Sequence, residues 1–144
     1  MNVTEHFSLV EFASHDGAAY PAKWVTSRLA PLCSMLEVVR EALGRPVVII
    51  SGYRSPAHNA SVGGASASQH MEGRAADIAV VNVSPDAVHA CVVALHAAGK
   101  LPMLGGLGMY TGWNHLDIRP RPESGHIAQW TGAGVDPSAA EVLT

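Results

Sequence analysis

Eight histidines in 144 residues are the unusual feature of this chain, and two of them stand where they could do chemistry. In Ser68-Gln69-His70-Met71-Glu72-Gly73-Arg74-Ala75-Ala76-Asp77, a histidine and an aspartate are separated by a glycine and small residues. On one continuous helix their side chains would lie about 10 Å apart, too far for one ion. A turn at Gly73 feeding a strand removes that obstacle and sets Asp77 opposite Ile78 and Val80 in facing. In Trp113-Asn114-His115-Leu116-Asp117-Ile118-Arg119, strand periodicity puts Leu116 and Ile118 on one face and His115, Asp117 and Arg119 on the other. A third polar region begins with Tyr53 and Arg54, directly after the run Val47–Ile50. A His–Asp–His set supplies three ligands and leaves a tetrahedral metal one open position, the arrangement of a catalytic zinc rather than a structural one. Two imidazoles and one carboxylate leave about one positive charge on the ion, which brings the ionisation of bound water near neutrality.

The elements around these residues read as one α+β domain. Ser8-Leu9-Val10-Glu11 has the form of a capping box opening a short helix through Ala13, and 15–25 reads as a loop. Leu29, Leu32, Cys33, Leu36, Val39 and Leu43 recur at helical spacing over 26–43, and Gly44 stops that helix. The run 46–50 predicts a strand buried on both faces. Residues 51–68 form a small, polar, Gly-rich loop, and loops of that length are usually functional or disordered. Strands are predicted over 75–81, 105–111, 114–119 and near 126–130, with a helix started by Ser84-Pro85 and ended before Gly99. The tail from Thr131 reads as loosely ordered.

Composition narrows the function classes. Hydrophobic residues make up 48% and charged residues 15%, which excludes a disordered chain. No apolar run is long enough to span a membrane. Nine Lys and Arg against twelve Asp and Glu, scattered without a basic face, argue against a nucleic-acid partner. Cys33 and Cys91 belong to no C-x-x-C pair and read as free thiols in apolar helices, with a disulfide as the alternative. The N-terminus shows neither the basic nor the apolar region of a signal peptide.

Ser68, His70, Gly73, Ala75 and Asp77, in the pattern S-x-H-x-x-G-x-A-x-D, resemble the zinc D-Ala-D-Ala carboxypeptidase family (peptidase family M15, subfamily A type), which is related to phage L-Ala-D-Glu endolysins. The Phe-Ser-Leu-x-Glu-Phe start, Ser51-Gly52-Tyr53-Arg54-Ser55-Pro56, Val62-Gly63-Gly64, Gly106 to Tyr110 and His115–Arg119 extend that resemblance over about 7–130. It implies a small hedgehog-like α+β fold with an antiparallel sheet and flanking helices, occupying 1–144 as a single zinc peptidase domain. It implies that His70, Asp77 and His115 hold Zn2+. Arg54 would bind a substrate carboxylate or the developing oxyanion. Tyr53, Ser68, Gln69 and Trp113 would support the site or line the cleft, Trp113 being equally open to a packing role. Many relatives place an acid three positions before the last histidine, where this chain has Gly112; Asp117 is the nearest carboxylate on the strand face, either as the base or as the partner that orients His115. The implied substrate is a peptidoglycan stem peptide, cut at D-Ala-D-Ala or at L-Ala-D-Glu. With no signal peptide visible, such a chain would stay cytoplasmic until phage lysis or virion assembly carries it to the wall, with virion proteins as further partners, or would have had its leader removed. A zinc-containing binding module without a base is the alternative. A non-haem iron oxygenase, mimicked by His115-x-Asp117 and a later histidine, fits poorly with two helices and only 27 residues after Asp117.

Overall fold

The computed structural model describes residues 1–132 as three helices and a five-stranded sheet. The helices are α1 (Ala30–Leu43), α2 (Pro56–Ser61) and α3 (Pro85–Ala97). The strands are β1 (Val47–Ser51), β2 (Ala75–Val80), β3 (Gly106–Met109), β4 (Asn114–Asp117) and β5 (Ala128–Thr131). They lie in the order β1-β2-β4-β3-β5. Every pairing is antiparallel except β3 with β5, which is parallel. The tail predicted as loose lies outside the described residues from 133 onward, while Thr131 belongs to β5.

Local chemistry explains the helix limits. Ser55 and Ser84 each accept a backbone N–H three residues on, from His58 at 3.1 Å and Ala87 at 3.2 Å, and a proline follows each at the first helical position. Gly44 ends α1 at φ 64°. The sheet's period of two then sorts side chains by face. Ala76, Ile78, Val80, Leu107 and Leu116 face Leu32, Leu36 and Val39 of α1 and Val88 and Val92 of α3 in one core. Each Val, Leu or Ile side chain among them, once fully buried, contributes about 1.5–3 kcal/mol. The opposite face carries Asp77, His115 and Asp117.

Four expectations need correction. The segment predicted as a loop to residue 25 winds into a 3₁₀ turn at Ala22–Trp24 and a π turn at Val25–Leu29 before α1 begins. The loop 51–68 contains α2, whose Ser-Pro start is the same signal that was read for α3. β1 is an edge strand with Val48 and Ile50 exposed, rather than a strand covered on both faces. The opening helix through Ala13 is a 3₁₀ turn, Leu9–Phe12, although Ser8 N–H does reach the Glu11 carboxylate at 2.8 Å.

Candidate metal centre

His70 leaves the turn before β2 and points at Asp77 because Gly73 reverses the chain between them. Gly73 adopts φ 66°, and its carbonyl accepts the Tyr20 hydroxyl at 2.7 Å. A Cβ there would stand 2.7 Å from Tyr20 Oη and 2.9 Å from the Trp24 ring, so the turn is both left-handed and crowded. Asp77 pairs across the sheet with His115 of β4. The three side chains therefore come from a turn, a strand and its neighbour, and their ligand atoms lie within 4.8 Å of one another. All three residues are buried.

Each of the three is held from behind by a different group. His70 Nδ1 meets the Gly52 carbonyl at 2.7 Å, which leaves Nε2 facing inward. Asp77 turns Oδ1 toward both imidazoles, at 3.3 Å from His70 Nε2 and 3.1 Å from His115 Nδ1, while Oδ2 lies 3.5 Å from Arg54 Nη2. His115 Nε2 meets Asp117 Oδ2 at 2.7 Å. So His70 presents Nε2, Asp77 presents Oδ1 and His115 presents Nδ1.

The electrostatics favour positive charge at this centre. Burial would push Asp77 upward, but the charge of His70 and hydrogen bonds from His115 and His70 hold its carboxyl well below the usual range. Burial would likewise lower His115, yet hydrogen bonds to Asp117 and Asp77 and their charges lift it to about 9. His70 Nε2 is a buried ring nitrogen whose nearest polar neighbour is Asp77 Oδ1 at 3.3 Å, without a well-aligned hydrogen bond. A buried nitrogen paired this poorly is unfavourable, and an ion between it, Asp77 Oδ1 and His115 Nδ1 would satisfy all three. The donor set of two imidazoles and a carboxylate fits a first-row divalent ion with an open position.

The remaining residues singled out in the sequence fall around this centre. Arg54 is buried, with Nη1 accepted by Asn59 Oδ1 at 3.2 Å. Ser68 is fully buried and its Oγ accepts the His70 N–H at 3.1 Å, which makes it part of the ligand turn. Gln69 closes that turn through its carbonyl, which accepts from Glu72 and Arg74 at 3.1 Å each. Tyr53 packs edge-on against Tyr20 and Trp24. Trp113 stacks flat on Tyr110 with ring centres 4.9 Å apart. Gly112 sits in the open turn between β3 and β4, with no atom within 4 Å of where a Cβ would be. Asp117 turns its carboxylate to His115 Nε2 and to Arg119, whose Nη2 lies at 2.6 Å and whose Nε lies at 2.9 Å. His126 is exposed, and His58 packs against His15 rather than joining the centre.

Sequence reasoning passed over Asn59 and the Gly52 carbonyl. Asn59 had a usable signal, an amide on the short helix directly after Arg54. Gly52 had none, since a backbone acceptor leaves no trace in residue type.

Comparison with known proteins adds kinship to this geometry. A stretch of 56 residues is 45% identical to the zinc D-Ala-D-Ala carboxypeptidase of Streptomyces albus G, covering 37% of this chain and 22% of that relative. The aligned part thus spans under a quarter of the relative's length. The Peptidase M15 family matches from residue 5 to residue 117, through all three candidate ligands. On that match the chain belongs to the Peptidase M15 family.

Proposed function

We propose that this protein is a zinc-dependent peptidase acting on peptidoglycan stem peptides, with His70, Asp77 and His115 holding the ion. The observation that carries the reading is the convergence of three buried ligand atoms within 4.8 Å, one of them the poorly paired His70 Nε2. The relative's name supplies the metal and the substrate class, and the family match supplies peptide hydrolysis. Zinc bound there would act as a Lewis acid on the scissile carbonyl and lower the pKa of water toward neutrality.

The chain's own residues define what surrounds that event. Arg54, buried beside Asp77 and aligned by Asn59, fixes Oδ2 and so keeps Oδ1 as the ligand atom. Its guanidinium fork also suits a developing oxyanion or a substrate carboxylate at the same place. Asp117 serves as the partner that orients His115 rather than as the base, because its carboxylate is taken up by His115 Nε2 and the Arg119 fork. Ser68 and Gln69 keep the ligand turn closed, and Tyr53 and Trp113 belong to the aromatic surroundings of the centre.

The same facts favour one second reading, a zinc-containing cell-wall or virion binding module without turnover. Gly112 offers no side chain, and Asp117 is committed to His115. Mass spectrometry of purified peptidoglycan fragments incubated with the protein, with and without a chelator, separates the two. Chelator-sensitive loss of one alanine is the carboxypeptidase result, and a longer released peptide is the endopeptidase result. Zinc binding with no product refutes hydrolysis and leaves the binding module.

A further inference from the structure

The glycines of β3 have a use that the three ligands do not account for. One row of cross-strand neighbours runs Asp77 (β2), His115 (β4), Gly108 (β3) and Trp130 (β5). The next row runs Ala75, Asp117, Gly106 and Ala128. On this face β3 contributes no side chain, and its neighbours fill the space. A Cβ on Gly106 would collide with the Asp117 carboxylate, and one on Gly108 would stand 2.5 Å from Trp130 Nε1. Trp130 reaches over Gly108 onto the His115 ring, with centroids 5.1 Å apart, and its Nε1 donates to the Tyr110 hydroxyl at 2.6 Å. Arg119 lies over the outer side of the Trp130 ring at 5.2 Å and gives Asp117 its backbone N–H at 3.0 Å, Nε at 2.9 Å and Nη2 at 2.6 Å.

The geometry points to Arg119 and Trp130 as positioning residues for the metal ligand His115, seated in the space that Gly106 and Gly108 leave. Arg119 holds the Asp117 carboxylate in one orientation. Asp117 then keeps the His115 proton on Nε2 and turns Nδ1 to the ion. Trp130 blocks the ring from tilting away from Asp77. This inference rests on the reading of His70, Asp77 and His115 as a zinc site, and goes beyond it by assigning the groups that set the affinity and the coordinating nitrogen.

The test measures the zinc dissociation constant of the full chain by competition with a chromophoric chelator. It compares the unaltered protein with Arg119→Ala, Arg119→Lys and Trp130→Phe, with circular dichroism and thermal unfolding of each metal-free protein alongside. Gln129→Ala, exposed on the same strand as Trp130, is the control. Arg119→Ala is expected to bind zinc about 10–100-fold more weakly. Arg119→Lys, which keeps charge but loses the fork, should fall between, and the control should match the unaltered protein. A folded Arg119→Ala that binds zinc as tightly as the unaltered protein overturns the inference. Ring-nitrogen NMR of the zinc-loaded protein needs no variant: a protonated Nε2 and a zinc-shifted Nδ1 on His115 are expected, and coordination through Nε2 overturns the inference. Failure to cut any peptide, with these results intact, would count against hydrolysis alone, whereas failure of the unaltered protein to bind zinc would overturn both readings.

Discussion

Replacing Gly73 with alanine should be among the most damaging single-methyl changes in this protein, and the cost can be apportioned. At φ 66° an L-residue pays roughly 1–2 kcal/mol. The added methyl would also stand 2.7 Å from Tyr20 Oη, which is buried and donates to the Gly73 carbonyl. If the tyrosine moves, a buried hydroxyl and a buried carbonyl lose each other, at about 1–3 kcal/mol. The reduced freedom of the unfolded chain returns about 0.4–1 kcal/mol in both this variant and any other glycine-to-alanine change. The net loss is about 1–5 kcal/mol, a fall in Tm on the order of 3–25 °C for a chain of this size. Gly44→Ala isolates the backbone part, because Gly44 has nearly the same φ of 64° with nothing within 4 Å of the new methyl. Urea unfolding of both variants in chelator, read by circular dichroism, gives the crowding contribution as a difference of about 1–3 kcal/mol. If Gly73→Ala loses no more than Gly44→Ala, the reasoning that the turn is packed shut by Tyr20 is wrong.

Other consequences follow from the same contacts. Asn59→Ala removes the buried acceptor of Arg54 Nη1 and the donor to the half-buried Ala65 carbonyl; a loss of about 1–3 kcal/mol in urea is expected, and a loss below about 0.5 kcal/mol would contradict it. The Asp16 carboxyl is held down to about 2 by hydrogen bonds from Ser55, Ser14 and Ala18. Its contribution to stability is therefore complete above the ordinary 3.8 and lost progressively as pH falls from there through about 2; carboxyl-carbon NMR should show a midpoint of about 2, and one near 4 would show the contacts absent in solution. Burial pushes the Cys33 thiol up to about 12, so it should resist a thiol reagent at pH 8 until the protein is unfolded, and rapid labelling of the native chain would contradict its place in the core.

What could be read from the sequence was whatever residue type and period encode. His70, Asp77 and His115 announced themselves by the turn at Gly73 and by strand alternation, and the structure brings their ligand atoms within reach of one ion. The Ser84-Pro85 start placed α3, and the α1 stripe placed the core. The misses have physical causes. A short helix inside a polar loop lacks the apolar stripe that periodicity detects, so α2 was hidden although Ser55-Pro56 marked its start. Whether an apolar run such as Val47–Ile50 is central or at an edge depends on pairing order, which the run itself does not carry. Alternation placed Asp117 on the face of His115 but left its role open; its distance to His115 Nε2 and its contacts with Arg119 favour an orienting partner over a base. The role of Gly106 and Gly108 was likewise invisible, since an absent side chain gains meaning only from what its neighbours place in the gap.

The most direct test of the central claim is zinc stoichiometry and affinity in the unaltered protein and in His70→Ala, Asp77→Ala and His115→Ala. Each sample would be stripped with chelator, reloaded, dialysed, and read by elemental analysis together with chelator competition. One tightly held zinc per chain, weakened at least 100-fold in each folded variant, is the predicted result. A zinc held with the same affinity after loss of His70 or Asp77 would contradict it, because the ion would then be bound elsewhere.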